Sequence, residues 1–162
     1  MHERTKVVVS NTTPLIALTV ALGSLDVLQF LYARVVVPFE VAQEVRAGGA
    51  FSIGVDVFES AKWLDVQMQP VALTPFLKNS LDVGEASVIQ TAMNLSLPLV
   101  CIDEEVGRRL ARLSGLTLTG TLGVLIKAKQ LGFPIDMKLA IENMRQHGIW
   151  LRQSLIDFAL SH

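Results

Sequence analysis

The sequence predicts an α/β domain: a three-layer α/β/α sandwich around a mainly parallel central sheet of about five strands. Three observations predict it. The apolar, β-branched runs "KVVVS" (6–10), "RVVVP" (34–38) and "PLVCID" (98–103) are continuous rather than alternating, the pattern of strands covered by helices on both faces. They alternate with segments of helical periodicity, as βαβ units require. The 162 residues, 51% hydrophobic and 18% charged, suffice for one domain with a full core.

The run at 6–10 ends in the polar turn "NTTP", where Thr13 as N-cap and Pro14 at the first helical position open a helix over 14–22. "GSLD" separates it from a second helix, 24–32. The whole stretch is almost long enough to cross a membrane, but Asp26 inside it would cost about 2.5–3.5 kcal/mol there. "MHERTK" leads into a run too short and too β-branched for a secretory signal. A soluble, cytoplasmic protein is expected, not a membrane one, with a surface apolar enough to favour a homodimer.

The strand at 34–38 runs into a helix over 39–47, followed by the most flexible-looking loop, "AGGAFSIG" (47–54). A third strand is expected at 63–67 and a helix at 83–95. The strand at 98–103 and "LTLT" (116–119) are separated by a helix over 104–114, and another helix covers 121–131. Helices near 136–146 and 151–160 make 133–162 a C-terminal helical extension of a single domain, 1–162. The lone Cys101 excludes an internal disulfide and a cysteine-rich zinc site, and reads as a small buried hydrophobe. His2, His147 and His162 form no ligand set.

A net charge of −1 gives no global attraction for nucleic acid, so any such site is local. In open α/β sheets sites gather beyond the carboxyl ends of the strands. That directs attention to Asn11 after the first strand and Asp103 after the fourth. Asp103 also reads as an ordinary N-cap of the helix that follows, with Glu104 and Glu105 pairing to Arg108, Arg109 and Arg112.

In "LDVGEASVIQTAMNL", Ser87, Gln90, Thr91 and Asn94 recur at helical spacing and read as a solvent-facing stripe. Glu85 projects on the opposite side, inward, where a carboxylate needs compensation; a capping box with Asp82 is the plain alternative. Glu44 stands at the edge of the face marked by Val41 and Val45, while Glu40 reads as solvated. Clustered carboxylates repel unless a cation sits among them, and oxygen-only ligands suit Mg²⁺ or Mn²⁺. Such ions activate water for phosphodiester cleavage.

With those residues in view, "VVVSNTTPLIAL", "VVVPFEVAQEV", "LDVGEASVIQTA", "LVCIDEEVGRRLARLSGL" and "TGTLGVLIKAKQLG" span nearly the whole chain. Their order resembles the PIN-domain superfamily of metal-dependent nucleases, and most closely a prokaryotic PIN-like branch of predicted nucleic-acid-binding proteins. The resemblance implies that the catalytic positions fall on Asn11, Glu44, Glu85 and Asp103. It implies Mg²⁺ or Mn²⁺ held by Glu44, Glu85 and Asp103, with Glu104 where the branch often has a second aspartate. It also implies endoribonuclease activity on single-stranded or structured RNA, often as the toxin partnered by a small antitoxin, in a homodimer.

The chain departs from the general pattern at Asn11, which is isosteric with Asp but neutral. Two readings follow: a ribonuclease that tolerates Asn11, or a catalytically silent PIN-like module binding RNA or a protein partner. A nucleotide-binding relative is disfavoured because no G-x-G-x-x-G follows the first strand. For nucleic-acid contact the sequence offers Thr12, Thr119 and Thr121 at helix starts, where orphan N–H groups can receive phosphate, and the basic Arg108, Arg112 and Lys127.

Overall fold

The computed structural model describes residues 6–48 and 54–162. Five strands form one sheet: β1 (Val7–Ser10), β2 (Arg34–Val37), β3 (Asp65–Val66), β4 (Leu99–Cys101) and β5 (Thr117–Thr119). Their order is β3-β2-β1-β4-β5, and every pairing is parallel. Parallel neighbours require crossovers, and helices fill them. The central strands are fully buried at Val8, Val9, Val35, Val36, Val37 and Val100, which is why their sequences are continuously apolar.

The crossover from β1 holds α1 (Thr12–Leu22) and α2 (Asp26–Leu31), and β2 is followed by α3 (Phe39–Ala47) and α4 (Val55–Ser60). Gly23 adopts a left-handed conformation (φ 79°) and donates its N–H to the Thr19 carbonyl, ending α1 where the sequence predicted a break. After β3 come α5 (Pro75–Ser80) and α6 (Val83–Asn94), and α7 (Glu105–Leu113) links β4 to β5. The chain closes with α8 (Thr121–Gln130), α9 (Met137–Gln146) and α10 (Gln153–Ser161). α1, α2, α8, α9 and α10 pack on one another, while α6 lies across β1 and β4 with α5 and α7 beside it. The three-layer α/β/α arrangement is the expected one.

Several local expectations change. β4 ends at Cys101 rather than 103, because Ile102 still donates its N–H to the Thr119 carbonyl but Asp103 turns away. α1 begins at Thr12 with Asn11 as N-cap, so Thr13 does not cap it. β3 is only two residues long, and the short helices α4 and α5 were not anticipated. The glycine-rich loop expected at 47–54 falls largely on 49–53, outside the described residues. No helix among the described residues is long and apolar enough to cross a membrane.

The largest revision concerns α6. Every residue from Gly84 to Ala92 is buried, including Ser87, Gln90 and Thr91, so of the proposed solvent-facing stripe only Asn94 is exposed. α3, α5 and α7 all pack against this helix, and its polar groups bond locally instead of to water. Ser87 donates its hydroxyl to the Gly84 carbonyl, and the Gln90 side chain accepts from the Thr74 N–H while donating to Asn94.

Candidate functional site

Ser10 pairs level with Cys101, and Cys101 with Thr119, so three adjacent strands finish at the same height. The ladder runs one bond further: Asn11 donates its N–H to the Cys101 carbonyl at 3.0 Å. Asn11 is thereby fixed at the carboxyl edge of the sheet, 4% exposed, with its side chain making no capping bond to α1.

Around this edge α3, α6 and α7 deliver carboxylates. Glu44 accepts from the Thr12 hydroxyl at 2.9 Å and from the backbone N–H of Gly84 at the start of α6. Although Glu44 as a residue is exposed, its carboxylate is pressed so closely on Gly84 that a Cβ there would overlap it. Burial of that carboxylate raises its pKa, the Thr12 bond opposes the rise, and the Asp82 charge adds to it.

Asp82 is the N-cap of α6 and accepts from the Glu85 N–H at 2.8 Å, one half of the anticipated capping box. The Glu85 side chain instead turns inward, as predicted. It lies against Gly107 of α7, again where a Cβ would overlap it, and its Oε2 is buried without a hydrogen-bond partner. Desolvation, a proton shared with Asp82, and the charges of Asp82, Glu104 and Glu44 push its pKa up to about 8.

Asp103 does not cap its own helix; that position belongs to Glu104. Its carboxylate reaches across to the start of α8, accepting from the Thr121 N–H at 2.8 Å and the Thr121 hydroxyl at 2.6 Å. A Cβ at Gly120 would stand 2.7 Å from Asp103 Oδ1, so a third glycine makes room for a third acid. The Thr121 N–H expected to await a phosphate is therefore already taken.

The basic residues divide. Arg108 turns inward, donating to the carbonyls of Ile102 (2.7 Å) and Thr119 (3.2 Å) rather than pairing with the acids of its own helix. Glu105 pairs instead with Arg152, at 3.1 Å. Arg112 and Lys127 remain exposed in the last turns of α7 and α8. Glu40, read as solvated, is half-buried and accepts from the Val71 N–H at 2.9 Å, tying down the chain beyond β3.

Thus Asp82, Glu104 and Glu44 lie within electrostatic reach of Glu85, and Asp82 of Glu44 as well, with Thr12 bonded to Glu44, while Asp103 is held by Thr121 at the start of α8. Asp82 was read only as a cap, and the glycines Gly84, Gly107 and Gly120 were not singled out. Each glycine makes room for an acid distant in sequence, Gly84 for Glu44, Gly107 for Glu85 and Gly120 for Asp103, so no local pattern marked them. Among the described residues, no three His, Cys, Asp or Glu side chains are drawn together closely enough to hold a metal ion as they stand. Thr12 and the Gly84 N–H hold Glu44, and Thr121 holds Asp103, at the rim. The donor set nonetheless fits a hard cation: it is all oxygen, and Glu85 Oε2 is a buried acceptor without a donor.

A parallel α/β/α sandwich with acids gathered at the carboxyl edge of its central strands defines a nuclease-like class of protein. Within that class the chain belongs to the PIN-domain family: the family model described as "DUF3368: PIN domain" matches residues 7–162. A search of the curated proteins returns no match.

Proposed function

We propose that the protein is a Mg²⁺- or Mn²⁺-dependent endoribonuclease of PIN type. The observation that carries this reading is the buried, unpartnered Oε2 of Glu85 among Glu44, Asp82 and Glu104. Burying such an acid among like charges costs folding free energy that a divalent cation would recover. Glu44, Glu85 and Asp103 would hold the ion, with Glu104 at the exposed side. When bound, the ion acidifies water and neutralises charge on a phosphodiester.

The chain's own residues set the geometry. Thr12 and the Gly84 N–H orient Glu44, and Asp82 holds the first turn of α6 so that Glu85 faces inward. Thr121 fixes Asp103 in one rotamer. Asn11, rigid at the sheet edge, supplies a carbonyl oxygen and an amide donor to position a water or a ligand without adding charge. Family membership supports RNA as substrate. A cytoplasmic toxin role with a small antitoxin, and a homodimer, belong to the same reading; exposed apolar side chains such as Phe158 and Leu155 on α10 suit the homodimer.

The second reading is a silent PIN-like module that binds RNA or a protein, and neutral Asn11 at the first acidic position favours it. Calorimetry with Mn²⁺ on the wild type, Asn11→Asp and Glu85→Gln, paired with cleavage of a mixed RNA pool, separates the two. Wild-type binding and cleavage, both lost in Glu85→Gln, establish the nuclease. Activity that emerges only in Asn11→Asp establishes the silent module.

A further inference from the structure

Trp150 is 80% exposed, although tryptophan is on average among the more buried residues. Its neighbours Ile149 and Leu151 both pack against the core, and the Ile149 N–H bonds to the Met144 carbonyl at 3.0 Å. The backbone is therefore anchored on either side while the indole is left in water. Two residues on, Arg152 reaches α7 and pairs with Glu105, directly beside Glu104 at the rim of the acidic site.

Glu105, Arg109 and Arg112 follow one another at helical spacing and fall within roughly 60° of one face of α7. Both arginines are exposed, and Arg152 joins the same face through Glu105, the acid on that face. An exposed aromatic on an anchored backbone, two residues from an arginine that joins a face carrying two more, matches the two needs of a single-stranded nucleic acid. One is a flat apolar surface for a base, and the other is cations at intervals for its phosphates.

We propose that Trp150 is a base-stacking platform and that Arg152, Arg109 and Arg112 form a phosphate track, together leading single-stranded RNA to the acidic edge. The proposal rests on the nuclease-like reading for its substrate class, but the track needs no cleavage to operate. Glu105 becomes a spacer that holds Arg152 in line. The inward-facing Arg108 takes no part.

The test is binding of a short fluorescein-labelled oligouridine in EDTA, followed by its anisotropy in every variant and, for stacking, by tryptophan fluorescence in a Trp63→Phe background where Trp150 alone reports. Stacking quenches the signal, and Trp150→Ala weakens binding by about tenfold or more while Trp150→Phe largely restores it. Arg109→Gln and Arg112→Gln each lower the slope of log affinity against log salt by about 0.7. Circular dichroism establishes that each variant is folded. Unchanged affinity in Trp150→Ala overturns the proposal, as does a change in oligomeric state by sedimentation with RNA binding intact, which would make this face a protein interface. Retained Trp150-dependent binding without any cleavage in Mn²⁺ leaves the track standing and removes only the nuclease.

Discussion

Gly107 of α7 lies against the carboxylate of Glu85 of α6, and the buried oxygen of that carboxylate occupies the space a side chain at 107 would fill. The contact sets two elements at a separation fixed by one acid. In Gly107→Ala the added methyl meets the far end of the Glu85 side chain, which can swing away, and Ile102 Cγ2 at 3.1 Å, which must give by a few tenths of an ångström, while alanine favours a helix by up to ~1 kcal/mol. The expected result is a global stability within about 1 kcal/mol of wild type by urea unfolding. Mn²⁺ affinity should nevertheless fall at least tenfold by calorimetry. An unchanged affinity would show that Glu85 binds no metal from this position.

The pH dependence of the metal-free protein follows from the same group. The folded pKa of Glu85, about 8, lies above the ordinary 4.5 of the unfolded chain. Its contribution to stability is therefore fully present below about pH 4.5 and is lost as pH rises through 8. Glu85→Gln removes that loss, so its stability gain over wild type should grow across this window. At pH 7 it should reach on the order of 3 kcal/mol. Urea midpoints at several pH values check it, and a difference flat in pH would contradict the buried-acid account. Glu44, raised in the same direction, adds a slope of the same sign.

Asp103 and Thr121 should separate stability from chemistry. Thr121→Val keeps the backbone bond and removes the hydroxyl bond, a loss of about 1 kcal/mol. It leaves the Asp103 charge in place, so Mn²⁺ should still bind. Asp103→Asn keeps an acceptor for the Thr121 N–H but removes the charge, so Mn²⁺ binding should suffer more than the unfolding midpoint. Equal effects on both measurements in both variants would make Asp103 purely structural.

Asn11→Asp introduces a carboxylate at a position 4% exposed, at the sheet edge around which the acids lie. Without metal it should lower the melting temperature, since a buried charge is added among like charges. With Mn²⁺ the deficit should shrink or reverse, because added affinity for the folded state alone is added stability. A deficit that Mn²⁺ leaves unaltered would place Asn11 outside the metal's reach.

The sheet was legible because β1, β2 and β4 are buried on both faces and have no polar side to alternate with. Asp103 and Asn11 were legible because strand ends in a parallel sheet mark the site edge. Glu85 was correctly turned inward, but from a mistaken premise: Ser87, Gln90 and Thr91 face protein, bonded or enclosed there, and their polarity alone could not reveal it. Only packing shows that α3, α5 and α7 enclose α6. The partner of Asp103 was hidden for a similar reason, since Thr121 is distant in sequence and a local cap was the simpler expectation. Helix α5 was missed despite its signals, an N-cap Thr74 that accepts from Leu77 and a proline at the next position.

The enclosure of α6 from Gly84 to Ala92 also sets an order of opening. Amides from Gly84 to Ala92, all buried, should exchange with solvent only on global unfolding, whereas those of α10, exposed along most of its length, should exchange through smaller openings. Glu85 thus rides on the slowest-exchanging element, and Trp150 is stationed just before the fastest. Under the proposed function, the acids on and around α6 keep their spacing while the segment beyond Trp150 opens.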